Sequence, residues 1–314
     1  MRTEIEEFTG FLDRSAAHVD RALERCLPRA NMRPKIIHKA MRYTTLSGGK
    51  RLRPALVILA YETAGGKGRR IDPVAASVEM VHAFSLIHDD LPAMDDDDFR
   101  RGKPTNHKVF GEGVAILAGD ALLTLAFQTL SAPGRARAFG PAVVARLVEE
   151  LSAATGSDGV IGGQVLDLLS EGVSVPRATV NYIHRHKTAK LFSASLRLGA
   201  LAGEARSALL RRLGGYGDAV GTAFQVVDDI LGAAGSFKEL GRDPGRDQRR
   251  GKVTYPRVVG FEASHRAVDR LLRRARVESK GFGKQRSLYE GFLELVDRRR
   301  RTKEGTLLMP KGRA

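Results

Sequence analysis

The segment from Ser85 to Gly102 constrains this chain most, because an apolar stretch runs directly into a dense group of acids. Six aspartates lie between positions 89 and 98, and we call them the first acidic patch. Leu91 precedes Pro92 and is disfavoured in helical backbone, so a helix that begins near Pro73 should end at the first two acids. Carboxylates at a helix C-terminus oppose the helix dipole and repel one another. Folding does not require this arrangement, whereas oxygen ligation of Mg²⁺ does.

A second acidic patch, Asp228 and Asp229, lies in the apolar helical segment 224–231. Together with Gln225, these acids are spaced at i, i+3 and i+4 and share one helix face. Acids within an apolar helix are costly to bury without a partner. Two acidic patches on two helices predict a metal cluster between them, completed by a polyphosphate. The alternatives are a solvated loop for the first patch and a buried ion pair for the second.

The hydrophobic pattern predicts an all-α protein. Apolar residues recur at three- and four-residue intervals along the 314 residues, and strand-like alternation is scarce. We expect roughly ten or more helices, in one domain over residues 1–300 with a basic tail over 301–314. The segment 114–130 is apolar nearly all round, which predicts a central buried helix or an interface helix. Further helices are expected at 4–27, 54–64 and 209–231, and a long one from Pro176 to about Leu201.

Composition excludes several classes of protein. The single cysteine, Cys26, allows no disulfide within the chain and no zinc site built on thiolates. Five acids in the first 20 residues argue against a secretory signal or a transit peptide. No run approaches the roughly 18 apolar residues of a membrane span. We therefore expect a cytoplasmic protein with no integral membrane segment.

The net charge of +16 restricts the kind of partner. A basic chain can bind nucleic acid, but here the cations are spread out and are not interleaved with aromatic residues as a stacking platform. We therefore expect no nucleic-acid partner. Attraction of polyphosphate substrates, or of an anionic membrane surface, accounts for the charge as well.

Cationic segments accompany the acids at three places. Two glycines precede Lys50 and Arg53, an arrangement that suits a diphosphate cradle. Arg100 and Arg101 directly follow the first acidic patch, where they are either counter-ions of its last acids or clamps for two phosphates. The segment 183–190 supplies a third cationic helical turn.

His82 lies seven residues before Asp89, two turns up the same helix face. A lone histidine is more often structural, but this alignment favours a role in substrate binding. Gln164 and Asp167 place an amide and an acid at the start of another helix. The sequence contains no P-loop and no dinucleotide-binding fingerprint.

Together these motifs resemble the trans-isoprenyl diphosphate synthases, or polyprenyl synthetases, of the short-chain bacterial type that makes farnesyl or geranylgeranyl diphosphate. The sequence Asp-Asp-x4-Asp from Asp89, followed by Arg-Arg-Gly, resembles the first aspartate-rich motif of that family, and residues 224–229 resemble the second. The likeness runs from residues 48–50 through 252–256 into the C-terminal helix. It implies a single-domain helical bundle of the isoprenoid synthase type with a central apolar cavity.

The resemblance also implies a reaction and a set of site residues. Isopentenyl diphosphate would be condensed with an allylic diphosphate after Mg²⁺-assisted ionisation, with about three ions in the site. The expected metal ligands are Asp89, Asp95 and Asp228, supported by Asp90 and Asp229. The expected allylic diphosphate ligands are Arg100, Lys187, Thr188 and Gln225. The expected isopentenyl diphosphate ligands are Lys50, Arg53, His82 and Arg101. Arg242 and Lys252 complete the candidate substrate-binding residues.

Two departures from the family pattern stand out. The second aspartate-rich motif usually ends in a third acid, where this chain has Gly232. A Leu-Gly-Lys turn is common shortly after, where this chain has Arg242 in place of the lysine. These changes bear on catalytic rate more than on fold.

Product length and assembly are predicted less directly. Phe84 lies five residues before Asp89, about 7.5 Å along a helix, and an aromatic there predicts a short pocket and farnesyl diphosphate as the main product. Geranylgeranyl diphosphate is the alternative. More distant alternatives are a class I terpene cyclase, which would not need Lys50, Arg53 and His82, and a non-catalytic subunit of a heteromeric synthase. The apolar segment 114–130 and the family both suggest a homodimer.

Overall fold

The computed structural model describes residues 3–234 and 251–300. Over these residues the chain is helical almost throughout, which confirms the all-α prediction. The helices are α1 (Glu4–Cys26), α2 (Lys35–Thr45), α3 (Leu52–Thr63), α4 (Asp72–Asp89), α5 (Asn106–Phe110), α6 (Glu112–Ser131), α7 (Pro133–Phe139), α8 (Pro141–Thr155), α9 (Val160–Leu169), α10 (Arg177–Ile183), α11 (Lys190–Ala202), α12 (Ser207–Ala234), α13 (Tyr255–Val259), α14 (Phe261–Ser279) and α15 (Arg286–Arg299).

Three short elements complete the described fold. A π-helical turn, His184–Ala189, joins α10 to α11, and a 3₁₀ turn, Gly283–Gln285, precedes α15. The strands β1 (Phe99–Arg100) and β2 (Lys103–Pro104) form an antiparallel hairpin after the first acidic patch. The expected continuous helix from Pro176 to about Leu201 is therefore interrupted by the π-helical turn. This turn alters the direction of the side chains that it carries.

The core forms where α3, α4, α11 and α12 pack together. α11 lies between α3 and α12, and α4 packs against both α3 and α6. Most residues of α3 and α4 are buried, in keeping with their high apolar content. The ends of these helices meet at one side of the bundle, where the polar residues gather.

Helix α6 is less buried than its composition predicts. Its small residues pack inward, whereas Ile116 and Leu117 are 44% and 57% exposed. By length and composition, α6 is the one helix among the described residues that could cross a membrane, although 33% of its most apolar window is buried against the rest of the bundle. α6 thus passes the length and composition criterion that we expected no segment to reach, but one such helix is weak evidence for a membrane span. The exposed face supports the expectation of an interface helix.

Candidate active site

A cavity of about 1160 Å³ opens at the polar side of the bundle. It lies between the start of α3, the end of α4, the start of α9, the π-helical turn and the end of α12. A second groove, of about 750 Å³, lies between the end of α1 and α6, and no carboxylate lines it. The large cavity is therefore the candidate active site.

The loop after α4 folds back on the helix end and gathers the first acidic patch. The backbone N–H of Asp95 donates to the carbonyl of Asp89 at 2.8 Å, and that of Asp97 donates to the carbonyl of Asp90 at 3.1 Å. Asp90 is buried and accepts from Nε of Arg100 at 2.7 Å. Burial raises the pKa of Asp90 in spite of this ion pair. Asp90 therefore braces the loop, and its neighbours face the cavity.

Lys187 joins the first acidic patch to α9. Its Nζ lies 2.7 Å from Oδ2 of Asp167 and 3.4 Å from Oδ1 of Asp89. Nε2 of Gln164 donates to the same Asp89 oxygen at 2.7 Å. A Cβ at Gly163 would lie 2.2 Å from the backbone nitrogen of Lys187, so only glycine lets α9 approach the π-helical turn this closely. The turn and the glycine together place Lys187 and Gln164 against Asp89.

The charges around Asp89 favour its ionised form. Burial alone would raise the pKa of Asp89, but Lys187, Lys252 and Arg100 outweigh it and lower the pKa to about 2. Burial likewise opposes the charge of Lys187, but Asp89 and Asp167 raise its pKa above the ordinary value. Lys252 donates to Oδ2 of Asp95 at 2.6 Å. Asp89 is therefore ionised at neutral pH.

The second acidic patch divides into a fixed acid and an available one. Asp229 accepts from the backbone N–H of Tyr255 at 2.7 Å and from Nε2 of Gln225 at 3.1 Å, and His184 lies 2.9 Å away. Thr188 in turn donates to Oε1 of Gln225 at 2.8 Å. These contacts fix the orientation of Asp229.

Asp228 stands beside this fixed acid. It faces the cavity and forms an ion pair with Arg299, the last residue of α15. Asp228 is therefore the carboxylate of the second patch that is available to a ligand in the cavity.

The cations predicted to bind isopentenyl diphosphate form one cluster. Nη1 of Arg53 lies 3.4 Å from Nε2 of His82, and its guanidinium lies 4.7 Å from the centre of the Phe192 ring. Burial lowers the pKa of Arg53 to about 10. Burial and the neighbouring arginines hold the pKa of His82 well below its ordinary value, so His82 is neutral. Partial burial and the charge of Arg299 lower the pKa of Lys50 to about 8.

A glycine and a buried ion pair hold this cluster in place. Arg101 donates to the carbonyl of Gly48 and lies so close to Gly49 that a Cβ there would be 2.7 Å from its guanidinium. Gly49 has a φ of +130°, a conformation that side chains disfavour. Arg51, buried behind the loop, lies 2.6 Å from Oε1 of Glu79 on α4. This pair ties the loop to the helix that carries His82.

The structure brings together nearly all of the predicted site residues. The predicted residues that line the cavity are Lys50, Arg53, His82, Asp89, Asp95, Arg100, Arg101, Lys187, Thr188, Gln225, Asp228, Asp229 and Lys252. Asp90 lies behind this lining, paired with Arg100. Arg242 and the tail 301–314 lie outside the described residues.

Phe84 is the exception, because it does not line the cavity. It is buried, and its ring packs edge-on against His88 with 5.1 Å between ring centres. The next residue, Ser85, lines the cavity instead. The side chains of successive helical residues point about 100° apart. A prediction from spacing that is wrong by one residue therefore assigns the cavity wall to the wrong side chain. The expectation that Phe84 forms the pocket floor therefore needs correction.

Sequence reasoning missed several residues of the cavity wall, among them the charged residues Glu79 and Arg299. Glu79 lies three residues before His82 in the same helix, so the spacing that identified His82 could also have found it. Arg299 belongs to a run of four arginines from 298 to 301, and the sequence does not distinguish among them. Only the packing of α15 against α12 shows which arginine faces the acids.

The donor set fits Mg²⁺. The cation binds carboxylate oxygens, and Asp89, Asp95 and Asp228 present such oxygens to one cavity from two sides. A separate group, Asp96, Asp98 and His107, holds its ligand atoms within 4.8 Å of one another but lies outside the cavity lining. Asp98 there already pairs with Lys108 at 2.7 Å. The cavity is therefore the better candidate for the metal centre.

Comparisons with known proteins agree with this geometry. A family model described as polyprenyl synthetase matches residues 34–290. The large subunit 1 of the heterodimeric geranylgeranyl pyrophosphate synthase of Arabidopsis thaliana, a chloroplastic protein, is 47% identical over 279 residues, which cover 88% of this chain and 75% of the relative. The chloroplastic geranylgeranyl pyrophosphate synthase of Catharanthus roseus is 43% identical, with 90% and 78% covered.

Solved structures show the same similarity. An apo FPP/GFPP synthase from Zymomonas mobilis superposes with a TM-score of 0.82 at 32% identity, covering 93% of this chain and 99% of the other. A putative farnesyl-diphosphate synthase from Marinomonas sp. MED121 gives 0.77 at 35% identity, with 94% and 99% covered.

Proposed function

Because the chain belongs to the polyprenyl synthetase family, we propose that it condenses isopentenyl diphosphate with allylic diphosphates and that its main product is geranylgeranyl diphosphate. One observation carries this proposal. Two acidic patches and two groups of cations face the same cavity of about 1160 Å³. The acids suit metal ions and the cations suit two diphosphates, which is the requirement of a reaction between two such substrates.

The chemistry follows from the charges. Mg²⁺ held by Asp89, Asp95 and Asp228 would supply charge neutralisation for the leaving diphosphate. Arg100 and Lys187 lie beside these acids and are placed to donate to the same diphosphate. The allylic C–O bond breaks with its electron pair leaving on the diphosphate. The allylic carbon is then attacked by the double bond of isopentenyl diphosphate, and the adduct gives a proton to the released diphosphate.

The second substrate has its own group of cations. Arg53, Arg101 and Lys50 offer fixed positive charge for isopentenyl diphosphate, and neutral His82 offers a ring N–H or an acceptor beside them. The apolar walls, including Leu86 and Phe224, exclude water from the cationic intermediate, which water would otherwise capture.

The product assignment is supported by two observations. Relatives at 42–47% identity are named geranylgeranyl pyrophosphate synthases. The wall residue one turn before Asp89 is the small Ser85, whereas the bulky Phe84 is not part of the cavity lining and packs against His88. A small wall residue leaves room for a longer chain. The alternative, farnesyl diphosphate, draws its support from the solved structures that carry that name.

The test is an incubation of the purified chain with Mg²⁺, labelled isopentenyl diphosphate and dimethylallyl, geranyl or farnesyl diphosphate. The dephosphorylated products are then separated by chromatography. The proposal predicts incorporation with all three allylic substrates and a C20 alcohol as the main product. Accumulation of a C15 alcohol, with farnesyl diphosphate left unused, would contradict the product assignment. No incorporation would favour a non-catalytic subunit.

The assembly is proposed to be a homodimer formed through α6. Ile116 and Leu117 on that helix are large apolar residues exposed to solvent. Burying them against a second copy would remove apolar area from water. Two of the relatives are named as large subunits of heterodimeric synthases, so a different small subunit is the alternative occupant of this face. Light scattering of the purified chain at micromolar concentration decides between a dimer and a monomer that awaits a partner.

A further inference from the structure

Arg299 faces the second acidic patch, where the proposed function places a metal ion. It is the last residue of α15, its side chain is 19% exposed, and it forms an ion pair with Oδ1 of Asp228. Its guanidinium lies 4.9 Å from the centre of the Phe224 ring on α12. The ring and the carboxylate together hold a positive charge inside the cavity.

The neighbouring arginines do not share this position. Arg298 pairs with Glu294 on the outer face of α15 and is 53% exposed. Arg300 is buried, and its Nε donates to Asp297 at 2.8 Å. Both therefore have ordinary structural partners. Among the described residues of this run, Arg299 is the one that lines the cavity.

The hydrogen-bonding capacity of Arg299 is not satisfied by Asp228. Its Nη1 contacts Oδ1 of Asp228 in the ion pair, whereas its buried Nε has no hydrogen-bond partner among the described residues. A buried N–H group of a guanidinium without an acceptor is costly to leave unpaired. The ion pair thus compensates charge but leaves the Nε donor free for an acceptor of an oxyanion.

The two neighbours of Arg299 indicate which oxyanion it meets. One is Asp228, an expected metal ligand that pairs with Arg299. The other is Lys50, which lines the same cavity and whose pKa is lowered by burial and by the charge of Arg299. A diphosphate that contacts both the metal site and Lys50 would bind in the cavity that Arg299 lines. Arginine binds such groups through two N–H donors at once.

We infer that Arg299 is an internal counter-ion that competes with the metal ion for Asp228 and, once displaced, binds the diphosphate. Metal loading at the second acidic patch is then an exchange of one cation for another. The inference rests on the proposed function in taking a metal ion at Asp228 and a diphosphate as the ligands. Gly232 replaces the acid expected one turn after Asp228, so this patch has one carboxylate fewer to offer the metal while Arg299 remains in place.

The test compares Arg299→Gln with Arg298→Gln, which removes the same charge from the adjacent exposed position. Mn²⁺ binding without diphosphate is followed by electron paramagnetic resonance. We expect Arg299→Gln to tighten Mn²⁺ binding about fivefold, the scale of a partly exposed ion pair, and Arg298→Gln to change it by less than twofold. Equal effects of the two substitutions would overturn the inference.

A double-mutant cycle locates the effect. In an Asp228→Asn background, Arg299→Gln should no longer tighten Mn²⁺ binding, because the competed carboxylate is gone. The same fivefold gain in that background would show that Arg299 acts through the general charge of the protein, and would overturn the competition with Asp228.

The second half of the inference is tested with inorganic pyrophosphate in the presence of Mg²⁺ by calorimetry. Arg299→Gln should weaken pyrophosphate binding about tenfold, the scale of a charged hydrogen bond, whereas Arg298→Gln should not. Unchanged affinity would overturn the diphosphate role.

If Arg299→Gln does not fold, Arg299→Lys serves instead, since lysine keeps the charge but loses the paired donors. Unaltered pyrophosphate binding in Arg299→Lys would again overturn the diphosphate role. Neither measurement depends on turnover, so a failure of this inference can be distinguished from a failure of the proposed reaction.

Discussion

Lys252 and Asp95, which are 157 positions apart, form an ion pair of 2.6 Å across the mouth of the cavity. The contact is one of a series in which each acid facing the cavity has a cation beside it. Lys187 lies beside Asp89, and Arg299 lies beside Asp228. Because the acids are already paired, the protein holds them close together without strong mutual repulsion. The same cations become diphosphate ligands when metal ions neutralise the acids.

Product length should respond to Ser85 and not to Phe84. Ser85→Phe places a ring on the cavity wall one turn before Asp89 and is expected to shift the main product from C20 to C15. Phe84→Ala should leave the product unchanged, because its ring packs against His88, but should cost about 3 kcal/mol of stability through the cavity it leaves. Chromatography of the alcohols and chemical denaturation measure the two effects. A longer product from Phe84→Ala would restore Phe84 as the floor.

The free energy of unfolding should decrease as the pH is lowered, because of the buried His82. Burial and nearby arginines keep its pKa well below the ordinary 6.5, so the folded state resists a proton that the unfolded chain accepts. The stability that this residue contributes is therefore complete above pH 6.5 and declines as the pH falls below it, by up to about 1.4 kcal/mol per pH unit. His82→Gln should flatten the decline between pH 6.5 and 5.5 in urea denaturation. His38→Gln, outside the cavity, is the control and should leave the slope unaltered.

Gly232→Asp should lower the Mg²⁺ concentration needed for half-maximal activity. Gly232 lies four residues after Asp228 in α12, so the new carboxylate falls on the same helix face. Gly232→Ala is the matched control, because it gives the same helix gain of at most about 1 kcal/mol without a charge. Identical Mg²⁺ titrations for the two variants would mean that the site does not use an acid at this position.

The sequence could predict both acidic patches because each lies within one helix or directly after it. A period of 3.6 residues is enough to put Gln225, Asp228 and Asp229 on one face. The same reasoning placed the ends of α4 and α12 within about three residues. Features that depend on residues close together in the sequence were therefore predictable. They include the two acidic patches, which define the chemistry of the site.

The remainder depends on contacts between distant elements. The π-helical turn at His184–Ala189 has no recognisable pattern in its residues, yet it directs Lys187 and Thr188 into the cavity. The position of Arg299 depends on how α15 packs, and the choice between Phe84 and Ser85 depends on the rotation of α4. If α4 is rotated about its axis by the angle between neighbouring residues, Phe84 and Ser85 exchange places at the cavity wall. The periodicity of the sequence does not distinguish these two orientations.

The most direct test of the metal-assisted site is the turnover of Asp89→Asn against that of Asp98→Asn. Both substitutions remove one carboxylate from the first acidic patch, but Asp89 faces the cavity and Asp98 lies on its exposed outer side. The account predicts that Asp89→Asn lowers kcat by about three orders of magnitude with the fold intact by circular dichroism, since it removes a group that stabilises the leaving diphosphate through the metal. Asp98→Asn should retain activity within about twofold of the parent. Near-normal turnover of Asp89→Asn at saturating Mg²⁺ would contradict the account.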